Sequence, residues 1–182
     1  MDSIKKYRNI KIMDEKIILR EIRKTDLPSC IEWLKDPEVT RFLSNNVKNV
    51  TEQEELQWFK TIKNSKTDIV FSIISANEHK YIGNCGLHKI NWPEKTCEMG
   101  IFIGDRNFWN KGFGTSAIGL LLDFAIKNVG IKNIRLLVYE YNLRAKKVYE
   151  KCGFTVIETL KDHHLFDNKY WDTYVMEYRK FS

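Results

Sequence analysis

No stretch of about 18 apolar residues occurs in this chain, and a bilayer-spanning helix needs roughly that many. No membrane span is expected. The N-terminal stretch Met1 to Lys11 is polar and basic and lacks the apolar segment of a secretion signal. Cysteine is scarce, and the four, at 30, 85, 97 and 152, include no Cys-x-x-Cys pair. Without such spacing or a signal they read as free buried thiols in a cytoplasmic protein. There are three prolines and nine glycines, none gathered into a linker, repeat or low-complexity run. Zinc-finger spacing, an RNP-like motif and a clear helix-turn-helix are missing as well, so no nucleic-acid partner is expected.

What is present suits one folded unit. Of 182 residues, 43% are apolar, ample for a core, and one domain over 1–182 is the simplest organisation. The net charge is +6. Its lysines and arginines are spread along the chain apart from short runs at Lys5-Lys6 and Lys146-Lys147. That balance permits an anionic ligand without specifying one.

Periodicity alternates between helix and strand. Ile17 to Ile22 reads as a strand. Asp26 reads as the cap of a short helix with Pro28 in its first turn, ended by Asp36-Pro37. Thr51-Glu52-Gln53-Glu54 forms a capping box for a helix to about Asn64. Three strands, 69–75, 81–90 and 96–103, joined by short polar turns, make an antiparallel meander. The pattern 115–129 is apolar on all but a narrow stripe, so this helix is expected to be buried against the sheet, and Gly130 ends it. The run 134–139, apolar but for Arg135, reads as a central strand. Asn142 caps a helix to Cys152, with Ala145, Val148, Tyr149 and Cys152 inward. Strands 154–158 and 171–178 follow, with 159–170 read as their connection. The order is that of a mixed α/β fold, with a meander first and a parallel crossover second.

The informative stretch is Trp109-Asn110-Lys111-Gly112-Phe113-Gly114-Thr115, at the junction of a strand and the longest helical pattern. Two glycines two apart suggest a tight loop with bared N–H groups. The first turn of a helix has N–H groups without intrahelical partners and carries partial positive charge, which suits phosphate. Lys111 adds a full charge. Alone, such a Gly-x-Gly is a common chance match.

The rest of the chain lifts it above chance. Asn110-Lys111-Gly112-Phe113-Gly114 with Thr115-Ser116-Ala117 resembles the acetyl-CoA pyrophosphate loop of the GNAT N-acyltransferases, (Gln/Arg)-x-x-Gly-x-(Gly/Ala). Asn142 to Phe154 resembles the same family's second signature, Asn-x-x-Ala-x-x-x-Tyr-x-x-x-Gly-Phe. The resemblance runs over roughly residues 15 to 178. The segments Asp36-Pro37-Glu38-Val39, Glu98 to Gly114 and Phe166 to Asp172 are similar to the RimJ/RimL-like and spermidine-acetyltransferase branch. One position departs: Trp109 stands where the loop pattern has Gln or Arg. Phosphate binding is therefore expected to rest on Lys111 and the backbone amides.

The resemblance implies a central twisted mixed sheet of about six or seven strands flanked by about four helices. It implies acetyl-CoA as co-substrate, a primary amine acceptor on a small molecule or peptide N-terminus, no metal, and a homodimer as an assembly state common among relatives. It places Trp109 to Thr115 on the pyrophosphate, the backbone of Ile101, Phe102 and Ile103 along the pantetheine arm and thioester, and Asn142 as both helix cap and CoA contact. Tyr149 matches the motif tyrosine that donates a proton to the CoA sulfur. A phenol's ordinary pKa of about 10 lies close enough to a thiol's to share a proton. The competing reading is a core tyrosine. Glu98 shares a strand face with Gly100 and Phe102 and reads as base or amine anchor, or else as a structural carboxylate.

Other polar groups are weaker signals. Cys85 and His88 lie three apart in one strand and point to opposite faces, against a metal site. Cys152 reads as packing. His163-His164 reads as solvated loop, and Glu32, Asp36, Glu38, Glu52, Glu54 and Glu55 as solvated helix faces, with acceptor-cleft roles as the alternatives. Two other functions compete. A dinucleotide-binding enzyme would use Gly112-Phe113-Gly114-Thr115-Ser116-Ala117, but about eight residues separate it from the preceding strand, where that fingerprint wants an immediate turn. A non-catalytic acyl-CoA-binding sensor would keep the same fold and loop.

Overall fold

A computed structural model describes residues 4–43 and 50–179. Met1 to Ser3, within the polar N-terminal stretch, and the last three positions of the expected 1–182 domain lie outside the described residues. The strands are β1 (Ile12–Met13), β2 (Ile17–Glu21), β3 (Ile69–Ser75), β4 (Tyr81–Asn91), β5 (Thr96–Ile103), β6 (Asn133–Tyr139), β7 (Thr155–Phe166) and β8 (Lys169–Arg179). They form one sheet in the order β1-β2-β3-β4-β5-β6-β8-β7. The α-helices are α1 (Lys5–Arg8), α2 (Leu27–Lys35), α3 (Pro37–Thr40), α4 (Glu52–Asn64), α5 (Phe113–Asp123) and α6 (Leu143–Lys151). The mixed α/β expectation holds. Among the described residues the sheet has one strand more than expected and the α-helices number two more, because β1, α1 and α3 are too short to show a period.

The meander β3-β4-β5 is antiparallel, β5 to β6 is parallel across α5, and β8 runs antiparallel to both β6 and β7. Helix α5 lies on the face holding Cys85, Leu87, Met99, Ile134 and Leu136, all in the core. Gly112 starts it at φ 83 and Gly130, at φ 82, ends its π-helical continuation Phe124–Val129. The capping box of α4 forms as read: Thr51 N–H donates to Glu54 at 2.8 Å, and Glu54 N–H to the Thr51 hydroxyl at 3.2 Å.

Two expectations need correction. Residues 159–170 are mostly strand, because β7 and β8 form a long hairpin. Its turn is Asp167-Asn168, both left-handed at φ 54 and 55, the geometry of a two-residue type I′ turn. The run Lys161-Asp162-His163-His164 has no apolar alternation to reveal a strand. It is held by cross-strand bonds, Lys161 to Asp172 at 2.6 Å and His163 to Thr173 at 3.0 Å. Strand β6 is central, between β5 and β8 as expected, but Arg135 interrupts its apolar run and is exposed with Leu137, opposite the buried Ile134, Leu136 and Val138.

The second correction concerns Asp26. Its side chain does not cap α2 but turns inward, 4% exposed. It accepts from both Arg20 nitrogens at 2.7 Å, from Arg23 N–H at 2.9 Å and from the Ser72 hydroxyl at 2.7 Å. Burial pushes the carboxyl pKa up, but these donors outweigh it and hold it below its ordinary 3.8. A depressed folded pKa gives stability that is present above the unfolded value and lost as pH falls through the folded one. Asp26→Asn is expected to cost about 2 kcal/mol at pH 7. Its denaturation midpoint should also depend less on pH below about 4 than the wild type's, which urea titration at pH 3 and 7 would show.

Candidate active site

Strands β5 and β6 pair at only three positions, Thr96 with Asn133, Cys97 with Ile134 and Glu98 with Arg135. Beyond them β5 continues to Ile103 and β6 to Tyr139, but the ladder stops. The strands splay, and among the described residues one edge of β5 from Met99 onward has no strand partner. A cavity of about 970 Å³ occupies this gap. It reaches from the start of α5 to the ends of β4 and β5.

At one end lies the loop before α5. Asn110 and Gly112 are both left-handed, at φ 59 and 83, and the alternation turns successive N–H groups inward as in an anion-binding nest. The first helical bond is Ser116 N–H to the Gly112 carbonyl at 3.0 Å. The N–H groups of Phe113, Gly114 and Thr115 therefore precede the intrahelical ladder. A Cβ on Gly114 would meet nothing within 4 Å, so bare backbone faces open space. Trp109, Asn110, Gly112, Phe113, Gly114 and Thr115 all line the cavity, and Lys111 is exposed beside it.

The tryptophan in place of Gln or Arg has its own task. Its indole N–H donates to the Ile103 carbonyl at 2.7 Å, tying the loop to the end of β5. Its ring supports the Arg144 guanidinium, 4.2 Å from the ring centre, a cation–π arrangement. A guanidinium thus stands near the loop after all, brought from α6. Lys16, at the edge of β2, reaches the same place: its Nζ donates to the Lys111 carbonyl at 3.0 Å. Lys16 and Arg144 thus stand near the loop beside Lys111, on which phosphate binding was expected to rest. Sequence reading missed both, because Lys16 lies 95 residues from its partner and Arg144 meets Trp109 only through the packing of α6 against the loop.

In the middle, Ile101, Phe102 and Ile103 are half-buried along the unpaired β5 edge and line the cavity. Asn142 caps α6, accepting from Ala145 N–H at 3.2 Å, and also lines it. So does Tyr149, 8% exposed, whose ring packs edge-on against Phe154 at 5.8 Å. Burial, with a smaller contribution from Cys152, pushes its phenol up to about 12. It is therefore a protonated donor at neutral pH. Burial also raises the thiols of Cys30, Cys85, Cys97 and Cys152, which leaves them poor nucleophiles.

At the other end stand Asp68, His88, Lys89, Glu98 and Arg135. Glu98 is about half exposed and pairs with Lys89 at 2.9 Å. The ring nitrogen Nδ1 of His88 lies 3.0 Å from Asp68. Asp68 carried no sequence signal, since the two are 20 residues apart and only the β3–β4 pairing brings them together. None of the six acidic residues of the early helices lines this cavity. Glu32 pairs with Lys35, Asp36 caps α3, Glu54 completes its capping box, and Glu55 is buried beside Cys30. The solvated reading of Glu55 is thereby corrected, as is that of His164, which is buried and stacked on Tyr139 at 3.8 Å.

The site thus joins a gap between parallel strands, a helix start with N–H groups ahead of the ladder, and a buried tyrosine within the gap. A model of the acetyltransferase (GNAT) domain matches residues 16–155. The chain belongs to the GNAT acetyltransferase family, whose members use acetyl-CoA as co-substrate. An uncharacterized protein of Methanocaldococcus jannaschii is 28% identical over 141 residues, 78% of this chain, and the match spans 28% of that protein's length. An uncharacterized N-acetyltransferase, p20 of Bacillus licheniformis, is 25% identical over 170 residues, covering 91% of this chain and 94% of that one. The spermidine N-acetyltransferase of Vibrio cholerae, solved in complex with CoA and spermine, shares the fold with a TM-score of 0.84. Its identity is 21%, over 91% of this chain and 96% of that one.

Proposed function

We propose that this chain, acting as one domain over 1–182 in the cytoplasm, transfers acetyl from acetyl-CoA to a primary amine by direct attack within a ternary complex. The observation that carries this reading is the continuity of one cavity. It joins the start of α5, Tyr149 in the strand gap, and the carboxylates Asp68 and Glu98. The N–H groups of Phe113 to Thr115, with Lys16, Lys111 and Arg144, fit a pyrophosphate and phosphate. The unpaired β5 edge at Ile101 to Ile103 fits an extended pantetheine arm, with amide donors for a carbonyl oxygen, and Asn142 fits the same arm. When bound, acetyl-CoA supplies an acetyl group on a thioester. Tyr149 gives its proton to the departing sulfur. Glu98 anchors the amine, an ammonium group taking the place of Lys89. The buried, protonated thiols support direct attack over an acyl-enzyme.

The acceptor is a small-molecule amine or a peptide N-terminus. The segments Asp36 to Val39 and Phe166 to Asp172 support a place in the RimJ/RimL-like and spermidine-acetyltransferase-like branch, working as a homodimer. The cavity's acceptor end mixes Asp68 and Glu98 with Lys89 and Arg135, so it suits an amine that also carries polar or anionic groups better than a bare polycation. The test is thiol release from acetyl-CoA against polyamines, amino sugars, aminoglycosides and peptides with free N-termini, beside calorimetry with acetyl-CoA. Acceptor-dependent thiol release is expected from at least one class. Tight acetyl-CoA binding with no such release in any class would point to a sensor and overturn the reading.

A further inference from the structure

We propose that His88, oriented by Asp68, is the group that takes the proton from the acceptor amine. This rests on the transfer reading above and assigns its unassigned step. An alkylammonium must lose a proton before it can attack, since its pKa lies near 10, and a positioned imidazole is the side chain best suited to accept one at neutral pH.

The geometry begins with Asp68. Its Oδ2 accepts from the Ser65 hydroxyl at 2.5 Å and the Thr67 hydroxyl at 3.2 Å, and its Oδ1 from Lys89 N–H at 3.4 Å. Burial pushes its carboxyl up, but Ser65 and His88 outweigh that and hold it below its ordinary value. A charged carboxylate only accepts hydrogen bonds, so the His88 Nδ1 at 3.0 Å carries a proton. In neutral imidazole that leaves the lone pair on Nε2.

The direction of Nε2 is set by two glycines. Gly86 and Gly100 are cross-strand partners on the same sheet face as His88. A Cβ on Gly86 would lie 3.1 Å from Nε2, and one on Gly100 3.4 Å. The ring therefore lies across a bare floor, and Nε2 points along the sheet from β4 toward β5. It lies over the Gly86–Gly100 pair, past the last β5–β6 pairing at Glu98 and Arg135. Glu98, the direct cross-strand partner of His88 on the same face, is about half exposed and pairs with Lys89. The charged groups around His88 are Asp68 before β3, Lys89 on its own strand, Glu98 on β5, and Arg135 on β6, which is held by Glu177 of β8 at 2.8 Å.

The step balances. His88 Nε2 takes one proton from the ammonium, leaving a neutral amine. The amine nitrogen then forms its bond to the acetyl carbon as the bond from that carbon to sulfur breaks. Sulfur takes the Tyr149 proton, and the second nitrogen proton passes back to Tyr149 through solvent in the cavity. The sum is ammonium plus thioester to amide, thiol and one released proton, which leaves His88 for solvent.

His88→Gln keeps a polar side chain but cannot titrate. It is expected to lower kcat/KM about 30-fold, to abolish the acidic limb of the pH profile, and to leave acetyl-CoA affinity within about twofold. Asp68→Asn should lower kcat/KM about tenfold, with Asp68→Glu recovering part of the loss. Nitrogen NMR of the histidines with CoA bound should show His88 with Nδ1 protonated and Nε2 bare. An active wild type with His88→Gln equally active and its acidic limb intact overturns this assignment alone. So does an Nε2-protonated tautomer, whatever the activity. A wild type that binds acetyl-CoA but acetylates no amine overturns the transfer reading and this one with it.

Discussion

Tyr149→Phe should lower kcat by about a thousandfold, within the span of general acid–base effects, while acetyl-CoA binds within about twofold of its wild-type affinity. The substitution removes one oxygen from a buried ring that packs on Phe154. Among the described residues nothing bonds that hydroxyl, and it belongs to the cavity lining. The packing therefore survives and only the proton donor is lost. A phenol pushed up to about 12 stays protonated across the working range and yields its proton only once negative charge develops on a sulfur beside it. That demand arises in the transition state alone, so kcat and kcat/KM should fall together. A buried tyrosine with a purely structural role would change the melting temperature and leave kcat alone. Stopped-flow thiol detection together with calorimetry separates the two outcomes.

Gly112→Val is expected to weaken acetyl-CoA binding about a hundredfold. Gly112 sits at φ 83, where a β-branched residue is a steric outlier that costs about 1–3 kcal/mol. A Cβ there would also lie 3.3 Å from Lys16 Nζ, one of the three side-chain cations around the loop. Relief of the strain must rotate the peptide that starts α5, so the N–H groups of Phe113 to Thr115 would no longer converge. Gly119→Ala is the control. It lies in the same helix, exposed, with open space where its Cβ would stand, and should add about 0.5–1 kcal/mol of stability without altering affinity. Calorimetry on both variants checks the pair. Equal affinity in wild type and Gly112→Val would sink the loop assignment.

Much of this molecule was legible residue by residue. The Thr51–Glu54 capping box, the Asn142 cap, the glycine stop at 130, and the three-strand meander all follow from chemistry within a few positions of each residue. So does the loop at 109–115, while Tyr149 was singled out by the family resemblance of the second motif. Where local pattern misled, a distant partner had decided. The charged strand at 161–164 is held by Asp172 and Thr173 across a hairpin. Asp26 left its capping position for Arg20 and Ser72. Leu137 reads as core but is exposed because β6 separates from β5 beside it.

By itself, then, the sequence determined the fold class and the glycine loop before α5, because both rest on φ preferences, caps and periodicities that a residue shares with near neighbours, and it pointed to the family through the resemblance of two motifs in order. The tertiary structure alone decided where β5 and β6 part, that Lys16 and Arg144 come to the loop, and that Asp68 meets His88 over Gly86 and Gly100. Those relations depend on strand register and on packing between segments far apart in the chain. No local spacing records them, since a one-residue change of register would turn every one of those side chains to the opposite face.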